Sequence, residues 1–355
     1  MPRIVLAVAL LLTLVVACGR SRSLSSGGTS KGPTPLELRI PAWAIDTMGE
    51  HPFSLPYDNP TTVEGVALGR RLFHDPILSH DGRTSCASCH RRELAFSDPR
   101  NFPDERGYPR NSMPLINLAQ DHYFFWDARA LGLELQAFEP VRAHTEMNSD
   151  WPSVVARLET TPHYPALFQA AFGTPGIDSL RVAYALAQFE RTLISYGSRW
   201  DRWRYGGDST ALDAQELRGW RIFTTTGHCA DCHMPPRFTD SRVVGIGLDS
   251  DPADKGLGAR TGIPWHHGRF KTPTLRNIAV TAPYMHDGRF ATLEEVLDFY
   301  ASGVRTDAPN LDVHMQPWVR GEVLLSVRDK ADLLAFLHCL TDEAFLTDPA
   351  SGPLE

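Results

Sequence analysis

The chain has 355 residues, 42% of them apolar and 22% charged, with a formal net charge of −7. That length supports two or three domains with real cores. An acidic balance without clustered Lys and Arg speaks against a nucleic-acid-binding surface.

In chain order, Arg3 is followed by an apolar run from Ile4 to Ala17 that is too short for a membrane-spanning helix and reads as an export signal. The string LLTLVVAC ends at Cys18 and resembles a lipoprotein signal in which Cys18 becomes lipidated; an ordinary cleaved signal is the alternative. Residues 1–18 are therefore expected to be the signal. Residues 19–40, rich in Ser, Gly, Lys and Pro, are expected to be a flexible tether. Glu64 to Asp75, with Val66, Leu68, Leu72 and Phe73, predicts a short helix, and Pro99 to Arg110 a loop. Ser153 to Glu159 reads as helical. Leu180 to Tyr196 is the clearest helix, with Leu180, Tyr184, Ala187, Leu193 and Ile194 near one face. After Tyr205-Gly206-Gly207 the pattern restarts with Leu212, Leu217, Trp220, Ile222 and Phe223. Asp240 to Gly268 predicts a long loop, and Leu293 to Tyr300 and Lys330 to Leu340 predict short helices. Strand signals are sparse. The halves repeat one order of features, which predicts a mainly α protein with domains at 41–205 and 206–345 and a tail at 346–355.

Two CxxCH motifs carry the chemistry: Cys86, Cys89 and His90, and Cys229, Cys232 and His233. Two thiols at this spacing bond the two vinyl positions of one porphyrin, and the adjacent imidazole reaches the iron. Zinc would need a second cysteine pair at each site, and the remaining cysteines are only Cys18 and Cys339. Cys339 sits in the apolar string LLAFLHCL and is expected to be a buried, inert thiol. Two covalent haem c groups follow, with His90 and His233 as iron ligands. The sixth ligand at each iron decides between electron transfer and peroxide chemistry. Periodicity does not choose among Met48, Met113, Met147, Met285, Met315, the histidines and the tyrosines.

The strings GRRLFHDPILSHDGRTSCASCHRRELAFSD, PRNSMPLINLAQDHYFFWDARA and KTPTLRNIAVTAPYMHDGRFATLEEVLDFY resemble the bacterial di-haem cytochrome c peroxidase superfamily, and within it the MauG-like branch. The resemblance implies two cytochrome c-like helical domains with one haem each, the N-terminal haem reacting with peroxide. It implies that Trp126 lies between the haems, and that Gln136 and Glu146 lie above the N-terminal one. Glu146 would then move a proton between the peroxide oxygens. Asn111, Thr281 and Pro283 match positions that hold a calcium ion. Tyr300, fourteen residues beyond His286, stands where electron-accepting peroxidases of the family have a ligating methionine and MauG-like proteins a tyrosine. A phenolic oxygen favours higher oxidation states than a thioether does. No histidine occupies the loop expected to hold a distal one; the histidine between His90 and Trp126 is His122. The branch's surface tryptophan is also missing, with Gly227 in its place and Trp203 and Trp220 as possible substitutes. The string LTDEAFLTDP resembles relatives that oxidise a tryptophan in a partner copper-binding protein.

The expected function is therefore a peroxide-dependent di-haem oxidase in the Gram-negative periplasm. It would form high-valent haem iron and oxidise a side chain of a partner protein, tryptophan or similar. The alternatives are a cytochrome c peroxidase fed by a small redox protein and a di-haem electron carrier without catalysis.

Overall fold

The computed structural model describes residues 32–46, 56–99 and 110–354. The expected export signal with Cys18, Met48 and nearly all of the predicted loop before Arg110 lie outside them. None of the described helices is long and apolar enough to cross a membrane.

Helix α1 (Val63–His74) starts where Thr62 caps Gly65 N with its side chain, and it buries Leu68, Leu72 and Phe73. The first CxxCH motif forms the single turn α2 (Cys86–Cys89). A two-residue ribbon follows, β1 (Tyr123–Phe124) antiparallel to β2 (Ala130–Leu131), and leads into α3 (Leu133–Gln136). Next come α4 (Trp151–Thr160), α5 (Tyr164–Phe172) and α6 (Ser179–Glu190). In the second half, α7 (Ala214–Thr224) precedes the second motif. A second ribbon pairs β3 (Val243–Val244) with β4 (Phe270–Lys271), and α8 (Leu293–Asp298) and α9 (Val327–His338) complete the frame.

Several boundaries differ from the sequence pattern for tertiary reasons. The predicted 180–196 helix ends at Glu190, because Asn117 claims the following backbone: its N–H donates to Leu193 O at 2.8 Å and its Oδ1 accepts from Ser195 N at 2.9 Å. Helix α9 begins three residues before the expected Lys330, since Ser326 and Asp329 form a capping box. The predicted 240–268 loop carries β3 and a short helix, Leu257–Thr261. Helix α5, not anticipated, is closed by Gly173 at φ +78°.

Two hydrophobic cores result. One gathers Leu68, Leu72, Phe73, Val182, Leu186 and Phe189 from α1 and α6; the other gathers Phe223, Phe238, Leu333, Phe336 and Leu337 around α7 and α9. Each helix pair meets at a glycine. A Cβ on Gly69 would overlap the Ala185 carbonyl, and one on Gly219 the Asp332 carbonyl. The close crossings hold α1 and α7, and hence the motifs that follow them, against their cores. Cys339 is buried, as its apolar string predicts.

Candidate active site

Each CxxCH motif opens onto a cavity. The first, about 710 Å³, is lined by Cys86, Cys89, His90, Gln136, Pro140 and Glu146; the second, about 190 Å³, by Cys229, Cys232, His233 and Tyr300. The two histidines are held alike. His90 Nδ1 lies 2.7 Å from Phe96 O, and His233 Nδ1 lies 3.2 Å from Phe238 O. A carbonyl acceptor makes Nδ1 the protonated nitrogen and leaves the Nε2 lone pair for a metal. Both phenylalanines adopt left-handed backbone, φ 58° and 54°, which turns these carbonyls toward the imidazoles. The four motif cysteines are free thiols, not paired with one another. Thiols, freed imidazole and a cavity at each motif fit a covalently attached haem at each.

In the first cavity, burial pushes the Glu146 carboxyl above the usual range, with Arg129 opposing and Glu139 adding to the rise. Gln136 ends α3 and also faces the cavity. Met113 and Met147 are part of its lining, and His122 is exposed and not part of it. In the second cavity, Tyr300 lies on the π-helical turn Phe299–Gly303, a distortion common at functional sites. Its ring packs against Phe299 and Trp318 with centroids 5.0 and 5.9 Å away, and the Trp318 indole N–H donates to Tyr300 O at 2.7 Å. Burial raises the Tyr300 phenol. Met285 and Met315 line this cavity too.

Trp126 lines both cavities. Its indole N–H donates to Asn111 O at 2.7 Å, and Lys271 N donates to its carbonyl at 2.7 Å. The halves are tied together beside it: Asp121 accepts from Lys271 Nζ and Arg237 Nη1, each at 2.5 Å, and from Ser241 Oγ at 2.6 Å. Asn111, Thr281 and Pro283 come together at the second cavity; Asn111 Nδ2 is 2.5 Å from Pro283 O, and Asn111 Oδ1 is buried without a hydrogen-bond partner.

The family profile described as di-haem cytochrome c peroxidase matches residues 63–210. The methylamine utilization protein MauG of Methylorubrum extorquens is 38% identical over 336 residues, covering 93% of this chain and 93% of that protein. The chain belongs to the di-haem cytochrome c peroxidase family. It is accordingly an oxidoreductase. The cytochrome c551 peroxidase of Nitrosomonas europaea is 35% identical over 67% of this chain and 73% of its own length. A solved MauG-like protein associated with microbial copper homeostasis superposes with a TM-score of 0.77 at 32% identity, covering 89% of this chain and 99% of that one.

Within this peroxidase fold the two halves repeat more closely than the sequence pattern suggested. PLINLAQDHYFFWDAR and TLRNIAVTAPYMHDGR run in register, pairing Asn117 with Asn277, Trp126 with His286, Asp127 with Asp287 and Arg129 with Arg289. Left-handed residues recur at Asn117 and Asn277, at Phe125 and Met285, and at Ala128 and Gly288. The bridge between Tyr284 and Phe290 repeats the β1–β2 pairing. At the same spacing Pro140 corresponds to Tyr300, and each lines its own cavity. The phenylalanine carbonyls were missed from sequence, although AFSD and RFTD after the two motifs are their signature. Trp318 was also missed; it lies against Tyr300 and, 6.4 Å away, His228. Trp220 instead packs among Trp200, Phe223 and Phe336.

Proposed function

We propose that the protein is a MauG-like oxidase: it takes two oxidising equivalents from hydrogen peroxide, holds them, and uses them on a side chain of a partner protein, tryptophan or similar. Cys86 and Cys89 would bind one haem c with His90 on its iron; Cys229 and Cys232 would bind the second, with His233 and Tyr300 as its ligands. When bound, the first haem supplies an iron that coordinates peroxide, and the second an iron that stores an oxidising equivalent.

The observation that carries this reading is the asymmetry of the two cavities. Pro140 stands where the second half has Tyr300, and a proline side chain has no donor atom for iron. The first cavity is instead lined by polar groups suited to peroxide. Glu146, whose carboxylate burial makes the stronger proton acceptor, would in its ionised form take a proton from the inner peroxide oxygen and return it to the outer one. Gln136 supplies an amide to orient the peroxide or an ordered water. Trp126, facing both cavities, is the bridge for the electron that passes between them. Tyr300, on its π turn and pinned by Trp318, brings an oxygen ligand to the second iron.

Calcium at Asn111, Thr281 and Pro283 would hold the segment beside Trp126. The orphaned Asn111 Oδ1 next to the Pro283 carbonyl supports this, as amide and backbone carbonyl oxygens are among the ligands calcium takes. We assign residues 41–205 and 206–345 to the two haem domains; the existence of two cores supports a two-domain division, although Trp200 packs in the second core and Phe345 and Leu346 in the first. The proposed location is the periplasm, with residues 1–18 as the signal and Cys18 as a lipid anchor.

The second reading is a cytochrome c peroxidase that takes electrons from a small redox protein, favoured by the similarity to the Nitrosomonas europaea enzyme. Stopped-flow mixing of peroxide with fully ferric and with half-reduced protein separates the two. Rapid reaction of the ferric form supports the MauG-like reading. Reaction only after half-reduction favours the donor-fed peroxidase.

A further inference from the structure

The helix packing that makes the two halves alike isolates one group by which they differ. Gly69 of α1 meets Ala185 and Phe189 of α6, and Gly219 of α7 meets Asp332 and Phe336 of α9. Counted from those contacts, Leu186 corresponds to Leu333 and Glu190 to Leu337. The first pair member lines the first cavity and the second lines the second cavity in both cases. A carboxyl therefore stands on the rim of one cavity where the other has a leucine.

Glu190 is 5% exposed, and its Oε2 is buried with no hydrogen-bond partner. The elements around it carry other charged groups: Glu64, Arg70, Arg71 and His74 on α1, Glu134 on α3, Arg157 and Glu159 on α4, and Arg181 and Arg191 on and after α6. His90, Arg110, Asp121, Arg129, Glu146, Arg237, Asp254 and Lys271 face the same cavity. Many have partners elsewhere. Arg70 and His74 bond the carbonyls of Gly352 and Ser351, Arg191 pairs with Glu134, and Arg157 bonds the Ile77 carbonyl. Burial without compensation disfavours the carboxylate and pushes Glu190 up to about 8. The group is close to the haem-attachment site, for the Cys86 thiol is raised by burial and then by the Glu190 charge.

We propose that Glu190 is the redox-linked proton site of the first haem. The inference rests on the reading that Cys86, Cys89 and His90 hold that haem. When a one-electron reductant passes an electron to the iron, the cavity loses one positive charge. The Glu190 carboxylate then loses its electrostatic support and takes one proton from water. When the electron leaves, the O–H bond breaks and the proton returns to water. Leu337 gives the second haem no carboxyl at this position, so the Glu190 proton makes the electron equilibrium between the haems pH-dependent through the first haem.

The test is spectroelectrochemical titration of the purified di-haem protein from about pH 6 to about pH 9, resolving each haem by its absorbance. Part of that range should show the first haem's reduction equilibrium shifting about tenfold per pH unit, one proton per electron. Glu190→Gln should flatten that dependence while leaving the second haem's curve and both ferric spectra unchanged. Glu190→Leu, which copies the second cavity, should do the same and serves if the first variant does not fold. An equal pH slope in wild type and variant overturns the inference, since the proton then sits elsewhere, as on a propionate. Wild-type protein carrying fewer than two haems would instead overturn the underlying haem assignment.

Discussion

Tyr300→Phe separates a ligand from a core aromatic. The Tyr300 ring would keep its contacts with Phe299 and Trp318, and the Trp318 N–H would still reach the residue 300 carbonyl. The hydroxyl has no hydrogen-bond partner among the described residues, so its removal forfeits none of the ~1 kcal/mol that an ordinary hydrogen bond contributes. Packing alone therefore predicts a change within about 0.5 kcal/mol, or on the order of 1–2 °C in Tm. Any larger loss in the haem-loaded protein measures the iron–oxygen bond itself. Calorimetry gives the first quantity, and absorbance with electron paramagnetic resonance of the ferric protein gives the second. The spectrum of the second haem should change from a six-coordinate to an open form, with the first haem unaltered. An unchanged second-haem spectrum would refute the ligand assignment and return attention to Met285 and Met315, which line the same cavity.

Glu146→Gln should slow the peroxide reaction by on the order of 10²–10⁴-fold without altering either ferric spectrum, read by stopped flow. Because the wild-type carboxyl must be ionised to accept a proton and burial raises its pKa, the wild-type rate should rise with pH through that raised value; a rate that is flat with pH and equal in the variant rejects the role. For Asp121, burial favours protonation but Lys271 and Arg237 overcome it, lowering the pKa from 3.8 to about 2. A depressed folded value means stability that is present above the unfolded pKa and lost as pH falls through about 4 toward about 2, amounting to about 2 kcal/mol. Denaturant titrations should show that loss in wild type and a smaller one in Asp121→Asn. If calcium sits at Asn111, a chelator should lower Tm and added calcium should restore it in a concentration-dependent way. Asn111→Ala should abolish the response, and a chelator-insensitive wild type would remove calcium from the account.

What could be read from sequence was the chemistry that must be contiguous. CxxCH has to be local because one porphyrin spans it, and α1 and α7 show their apolar faces before each motif. The groups that differentiate the two cavities are not local. Pro140, Glu190, Tyr300 and Trp318 come from separate helices and turns, and only folding places them around their cavities. The end of α6 at Glu190 was illegible for the same reason: Asn117, far away in sequence, takes up the backbone that the apolar pattern would have kept helical. The Phe96 and Phe238 carbonyls lie within a few residues of their histidines. They stayed hidden because neither residue type advertises a left-handed backbone.

The measurement that bears most directly on the central claim is Mössbauer spectroscopy of iron-57-enriched, fully ferric protein after one equivalent of hydrogen peroxide. The account predicts that both iron sites move above the ferric state without prior reduction, so that the two equivalents of one peroxide are shared between the His90 and His233 haems. If the second iron stays ferric, or nothing happens until it has been reduced, then Tyr300 does not adapt that haem for storage and the MauG-like reading is wrong.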